Sequence, residues 1–416
     1  MFRLTHRLSL NRKLYWCAGV LLASSGSAQQ LISTSGPGGS VNLFNSDAAI
    51  LEAQEIRKDL PCTVNVNKPV LGFDLKFHTG YEITIPLKDL AGAENQLTMV
   101  FRAVAADRKD EPIYFSQRVA VPAIEENASG PAYVQGAFNV GEGKYHIDWM
   151  MRDRAERVCS YFWDIDAELP QRDKQMALDI AANAVKPEDN EPFKQEPPVE
   201  RQDAPLNVKV VVNFAPQDSA SATLHPLDTN ALVSILRNIS REPRIGKFSI
   251  VAFNMQEQRV IYRQEDASQI DFPALGKALN SVNLGTVDLK RLSQKHGDTE
   301  FLANLITKEV KDEKEQPDAV IFAGPKVMLD EGLSPDMLKQ LSDVKFPVFY
   351  MNYNLNPQAN PWRDAIGNAV KSLKGVEFTI QKPRDVFFSW ADIVGRLVKM
   401  KFGKPTTGAV TSFNQQ

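Results

Sequence analysis

The chain has 416 residues, with 48 Lys plus Arg against 51 Asp plus Glu, a formal charge of −3, 43% hydrophobic residues and 24% charged ones. This length and composition suit two globular cores, and so even a charge balance supplies no basic field with which to hold a nucleic acid. Five His and three Cys leave few side chains of the kind that ligate transition metals.

Met1 to Lys13 carries Arg3, Arg7, Arg12 and Lys13 without an acid, Leu14 to Ala23 is almost wholly apolar, and small residues follow at Ser24, Ser25, Gly26, Ser27 and Ala28. A basic start, a short apolar run and small residues before a cut read as a secretory signal peptide over 1–28. The apolar run is shorter than the ~20 residues of a spanning helix, so no transmembrane segment is expected in the mature chain. Cutting after Ala28 removes four basic residues and shifts the charge from −3 to −7. Cys62 and Cys159 then remain in a compartment that permits disulfides, and they are expected to pair, the alternative being two buried thiols.

Residues 29–45 are small, polar and Gly-rich and read as a flexible lead-in. Over 46–169 the apolar residues alternate, as in Phe73, Leu75, Phe77, then Tyr81, Ile83, Ile85, then Leu97, Met99, Phe101, then Tyr145, Ile147, Trp149. Period-two alternation predicts half-buried strands, with turns expected at His78-Thr79-Gly80, Ala91-Gly92-Ala93, Ala106-Asp107-Arg108, Asn127-Ala128-Ser129-Gly130 and Gly141-Glu142-Gly143. About seven short strands so spaced fit an all-β sandwich. Residues 170–205 read as a helix, Gln171 to Val185, followed by an extended Pro- and charge-rich linker.

Over 206–404 the pattern changes. A buried strand, Val208 to Phe214, is followed by an amphipathic helix, Leu227 to Ser240. A tight hairpin comes next, joining Phe248–Phe253 to Val260–Arg263 through Asn254-Met255-Gln256-Glu257. Helices then alternate with strands: helices Phe272–Leu279 and Glu300–Val310, strand Ala319–Ala323, helix Pro335–Leu341, strand Pro347–Asn352, helix Ala365–Leu373, strand Val376–Ile380 and helix Val386–Lys401. Such alternation predicts an α/β doubly wound unit, a parallel sheet covered on both faces, with one antiparallel edge hairpin. Residues 405–416 read as a flexible tail.

This order, with Ser249-Ile250-Val251-Ala252-Phe253-Asn254 as second strand and Gly297-Asp298-Thr299 before a helix, resembles the von Willebrand factor A fold over roughly 206–403. The resemblance implies a metal-binding corner built from an Asp-x-Ser-x-Ser loop, a Thr and a later Asp. Here the first loop reads Asn213-Phe214-Ala215-Pro216-Gln217, and Phe322-Ala323-Gly324-Pro325 offers no carboxylate. Only Thr299 matches, so neither metal nor cofactor is expected, although Asp218, Ser219 and Ser221 could serve if the loop shifted register. Ligands of open α/β sheets bind outside the carboxyl ends of the strands. Asn213, Gln217, Ser219, Thr299 and Gly324 are therefore the candidate partner-contact surface.

His78, His146, His225 and His296 have no zinc-ligand spacing, and there is no Gly-x-Ser-x-Gly elbow and no Gly-x-Gly-x-x-Gly after a strand. Asp148, Asp153, Asp164 and Asp166 form a late carboxylate cluster that a glycan hydrolase could use, but a solvated sheet face is the favoured account of it. Trp149, Trp163, Trp362 and Trp390 sit in apolar patterns and read as packing residues. The sequence thus predicts a non-enzymatic, exported protein of the periplasm or extracellular space that binds another envelope or extracellular protein. A metal-dependent adhesion protein and an envelope glycan hydrolase are the alternatives.

Overall fold

The computed structural model describes residues 20–21, 29–32, 43–189, 191–201, 206–218, 221, 223–282, 284, 296–311, 316–329, 331–340, 344–355 and 364–403. The stretch expected as a signal peptide, other than Val20–Leu21, the tail 405–416, Ser219 and Trp362 lie outside them. The chain is β-rich and divides into two compact units. One comprises residues up to Val70, Phe77–Glu168 and Ile180–Asp189; the other comprises Leu71–Lys76, Leu169–Asp179 and the chain from Asn190 onward.

The first unit holds eleven described strands: β1 (Val20–Leu21), β2 (Gln30–Leu31), β3 (Thr63–Val66), β4 (Val70–Leu71), β5 (Phe77–Pro86), β6 (Asn95–Ala105), β7 (Ile113–Val121), β8 (Pro131–Val140), β9 (Gly143–Arg152), β10 (Val158–Ala167) and β11 (Val185–Pro187). They form two sheets. The first runs β1-β8-β5-β3, with β11 also beside β8 and β4 beside β5; the second runs β10-β9-β6-β7-β2. Alternation sets the burial: every second residue of β5, including Tyr81, Ile83 and Ile85, is buried. Tyr81 and Phe138 of the first sheet meet Phe101 and Phe115 of the second in an aromatic cluster, where Phe101 stacks on Phe115 at 4.4 Å between centroids. Cys62 and Cys159 are disulfide-bonded, with Cα atoms 6.3 Å apart and a sequence separation of 97.

Several local expectations are corrected here. His78-Thr79-Gly80 is not a turn but lies inside β5, because this stretch pairs with Asn139, Phe138 and Ala137 of β8. The lead-in is anchored rather than flexible at two points. Gln30–Leu31 pairs with Ser116 and Phe115, and helix α1 (Asn45–Ala53) starts at its end. That helix buries Ile50 and Leu51 against Val100, Met150 and Val158.

The expected helix over 171–185 is a single 3-10 turn, Gln171–Asp173, ending in β11. Pairing to other parts of the chain overrides its helical spacing: Asp179 N donates to Leu75 O at 3.0 Å, and Val185 pairs with Val140. The charged linker is docked as well. Glu196, only 7% exposed, pairs with Arg237 and Arg241, and Arg241 also reaches Asp179 at 2.6 Å.

The second unit has one six-stranded sheet: β12 (Leu206–Asn213), β13 (Ile245–Asn254), β14 (Arg259–Ala267), β15 (Ala319–Gly324), β16 (Val348–Tyr353) and β17 (Val376–Ile380), in the order β14-β13-β12-β15-β16-β17. All neighbours are parallel except β13 and β14. The central strands are continuously buried, as a sheet covered on both faces requires. One face packs on α2 (Pro226–Ser240) and α3 (Phe272–Leu279). The other packs on α4 (Gly297–Lys311); α5 (Pro335–Gln340) and α6 (Ala365–Ser372) follow along the chain, and α6 lies on this second face too. The last helix, α7 (Pro383–Phe402), buries Val386, Trp390, Ile393 and Leu397 on the first face. Among the described residues no helix is long and apolar enough to cross a membrane.

Candidate functional site

The carboxyl edge of the mixed sheet carries most of the sequence-derived candidates. Parallel register sets Asn213, at the end of β12, opposite Phe253. Gly324, at the end of β15, has φ +139°, and a Cβ there would lie 2.8 Å from both Cβ and O of Asn213. Only glycine lets the two strand ends approach so closely. Asn213 is buried, and its Oδ1 accepts from Met255 N at 3.2 Å. Asn254, also buried, donates from Nδ2 to Phe214 O at 2.5 Å and accepts at Oδ1 from Glu257 N at 2.7 Å.

Gln217 links two loops: its Nε2 donates to Asp228 Oδ1 at 2.8 Å, and its Oε1 accepts from Leu355 N at 2.7 Å. Thr299, half-buried in the first turn of α4, is held separately, donating from Oγ1 to Glu331 O at 3.0 Å. The structure therefore joins Asn213 to Gly324, anchors Gln217 beside them on Asp228 and Leu355, and engages Thr299 with the Glu331 loop. Asn213 and Gly324 are too buried to touch a partner directly and instead shape the edge. Among the described residues no group of three or more His, Cys, Asp or Glu side chains is arranged to hold a metal ion.

A second constellation stands on the β10-β9-β6 sheet. Antiparallel register places His146 across from Asp164 and Arg102 across from Asp148. Asp148 is fully buried; its Oδ2 accepts from Arg102 Nη1 at 2.6 Å and its Oδ1 from Gln54 Nε2 at 3.1 Å. His146 Nδ1 lies 2.7 Å from Asp164 Oδ1, while Nε2 lies 2.7 Å from Gln54 Nε2. A neutral ring protonated at Nδ1 satisfies this set: it donates to Asp164 and accepts one Gln54 hydrogen, and the second Gln54 hydrogen goes to Asp148. A cleft of about 590 Å³ opens beside this network, with Lys109, Lys144, Asp166 and Val104 on its walls.

Sequence reasoning noticed Asp148 and Asp164 but missed Arg102 and Gln54. Alternation alone puts Lys144, His146 and Asp148 on one face of β9. It does not say which residues of β6 and β10 stand opposite, because register is a tertiary property. Gln54 had no local signal at all. It reaches the cluster only because it ends α1 in a left-handed conformation, φ 53°, on the sheet.

No family model matches the chain, and no curated protein matches it at a significant level. Weak overlaps exist with solved structures. Proximal thread matrix protein 1 from the mussel byssus is 14% identical over 48% of this chain and 46% of that one, with a TM-score of 0.27. The PilB minor pilin from Streptococcus sanguinis is 7% identical over 72% and 87%, with a TM-score of 0.24. A β-glucuronidase from Bacteroides uniformis is 11% identical over 75% and 38%, with a TM-score of 0.19. The chain spans less than half of the first and third proteins. At overlaps this low, none of the three assigns a fold or an activity to this chain.

Proposed function

We propose that this chain is an exported, non-enzymatic binding or scaffold protein of the periplasm or extracellular space, built as a β sandwich followed by a metal-free A-type domain, whose partner is another envelope or extracellular protein. The observation that carries the reading is the hydrogen bonding of Asn213, Asn254 and Gln217. At the edge where A-type domains hold their ion, these amides bind backbone groups and Asp228, which stitches the loops together. The sheet order with its single antiparallel edge supports the A-type likeness.

The first unit supports the non-enzymatic part. A retaining or inverting glycosidase leaves the space between its two carboxylates to a sugar ring. Here the His146 imidazole fills the space between Asp148 and Asp164, and both its nitrogens are engaged. Affinity capture with the mature chain from its own host's envelope tests the reading. A discrete protein retained by the wild type and lost from Thr299→Arg is the expected outcome. Identical captures by the wild type and an unrelated bait would overturn it, as would glycan hydrolysis that disappears in Asp164→Asn.

A further inference from the structure

Beside α6 the second unit has a cavity of about 320 Å³ whose walls include Asp364, Gly367, Asn368, Glu377, Lys326 and Lys371. Two carboxylates meet there. Asp364, the N-cap of α6 and only 8% exposed, accepts at Oδ1 from Val327 N and Ile366 N, both at 3.1 Å. Glu377 accepts at Oε1 from Asn352 Nδ2 at 2.7 Å. The remaining oxygens face the same space. The position a Gly367 Cβ would take lies 3.0 Å from Glu377 Oε2 and 3.4 Å from Asp364 Oδ2. Asp364 Oδ2 is buried and accepts no well-formed hydrogen bond.

The Tyr350 hydroxyl and the Gly367 N–H also act on the Asp364 carboxyl, but a buried carboxylate oxygen that no well-formed hydrogen bond satisfies is costly, and a like-charged neighbour adds to the cost. A hard divalent cation removes both costs, since it takes carboxylate oxygens at about 2.3–2.6 Å and completes its shell with amide oxygens and water. Backbone and amide donors that fix the outer oxygens are also what orients ligands in metal sites. We propose that Asp364 and Glu377, with the Asn368 side chain at the same cavity wall, form a binding site for a hard divalent cation, Ca²⁺ being the best match because it tolerates an irregular shell completed by water. The site uses none of Asn213, Gln217 or Thr299, although it shares their edge of the sheet, since Asn352, which holds Glu377, pairs in register with Gly324. Lys326 and Lys371 share the cavity wall, so an entering cation competes with ammonium groups, and affinity falls in the weak range of about 10⁻⁴ to 10⁻³ M.

Calorimetric titration of the full chain with CaCl₂, MgCl₂ and MnCl₂ at constant ionic strength, read together with the Tm, tests this. Saturable Ca²⁺ binding is expected, weakened at least tenfold in Glu377→Gln, an exposed position that leaves the helix cap intact. Gly367→Ala is expected to weaken it as well, by placing a methyl between the two oxygens without removing a charge. Asp218→Asn, in the loop after β12, is expected to bind as the wild type does. The proposal is overturned if none of the three ions produces saturable heat or a Tm shift up to about 10 mM. It is equally overturned if binding survives unchanged in Glu377→Gln, or is lost in Asp218→Asn instead.

Discussion

Two aspartates of the first unit flank the same imidazole and contribute very differently. Asp148 is fully buried and bonds Arg102 and Gln54, whereas the Asp164 side chain is 85% exposed. Removing a buried, paired carboxylate strands its partners and costs about 3–5 kcal/mol, while an exposed pair contributes under about 1 kcal/mol. Urea unfolding is expected to separate Asp148→Ala from Asp164→Ala by that margin, and equal midpoints would refute the network as drawn. Asp364 gives a pH signature. Burial, reinforced by Glu377, pushes its carboxyl from 3.8 up to about 6. The folded state therefore binds more protons than the unfolded state between these values, and stability falls as pH rises from about 4 to 6, by about 3 kcal/mol in all. Asn keeps the cap acceptor without the charge. Asp364→Asn is accordingly expected to flatten this slope in denaturant titrations run with a chelator, and an unchanged slope would count against it.

At the scale of elements, strands and helices followed local pattern wherever one face had to be buried. The edges of the second unit's elements shift by only a few residues between pattern and structure, and β17 and α3 coincide with their expected bounds. The pattern misled at 171–185. Met176 and Ile180 are buried as a helical stripe would require, yet beyond Gln171–Asp173 the segment runs through turns and bends to β11, held by pairing to other parts of the chain. Arg241 is the centre of that arrangement, bridging Asp179 and Glu196. Arg241→Ala is expected to cost about 2–3 kcal/mol, moderated because Arg237 still reaches Glu196. Limited proteolysis within 171–200 should quicken correspondingly, and unchanged cleavage would show that the segment is held by other means.

For the whole molecule, the division into units follows contacts rather than chain order: Leu71–Lys76 belongs with the second unit, and Ile180–Asp189 with the first. No composition shift marks either exchange. The disulfide is internal to the first unit and closes 97 residues. A loop of that length contributes about 4–5 kcal/mol by restricting the unfolded chain. Reduction, or Cys62→Ser with Cys159→Ser, is expected to speed hydrogen exchange throughout the β5-β10 core and leave β12 and β15 unaffected. Uniform acceleration across both units would contradict that assignment.

What the sequence determined by itself was periodic: which stretches alternate with period two, which carry a helical stripe, and that two cysteines suit each other. These are properties of neighbouring residues and of the solvent they avoid. The tertiary structure alone decided register, and register created both clusters of interest. His146 meets Asp164, and Arg102 meets Asp148, because three strands align at one offset. Asp364 meets Glu377 because a helix cap and a strand thirteen residues later are brought over one glycine. A single residue of slip would separate each pair, and no local preference encodes an offset between distant segments.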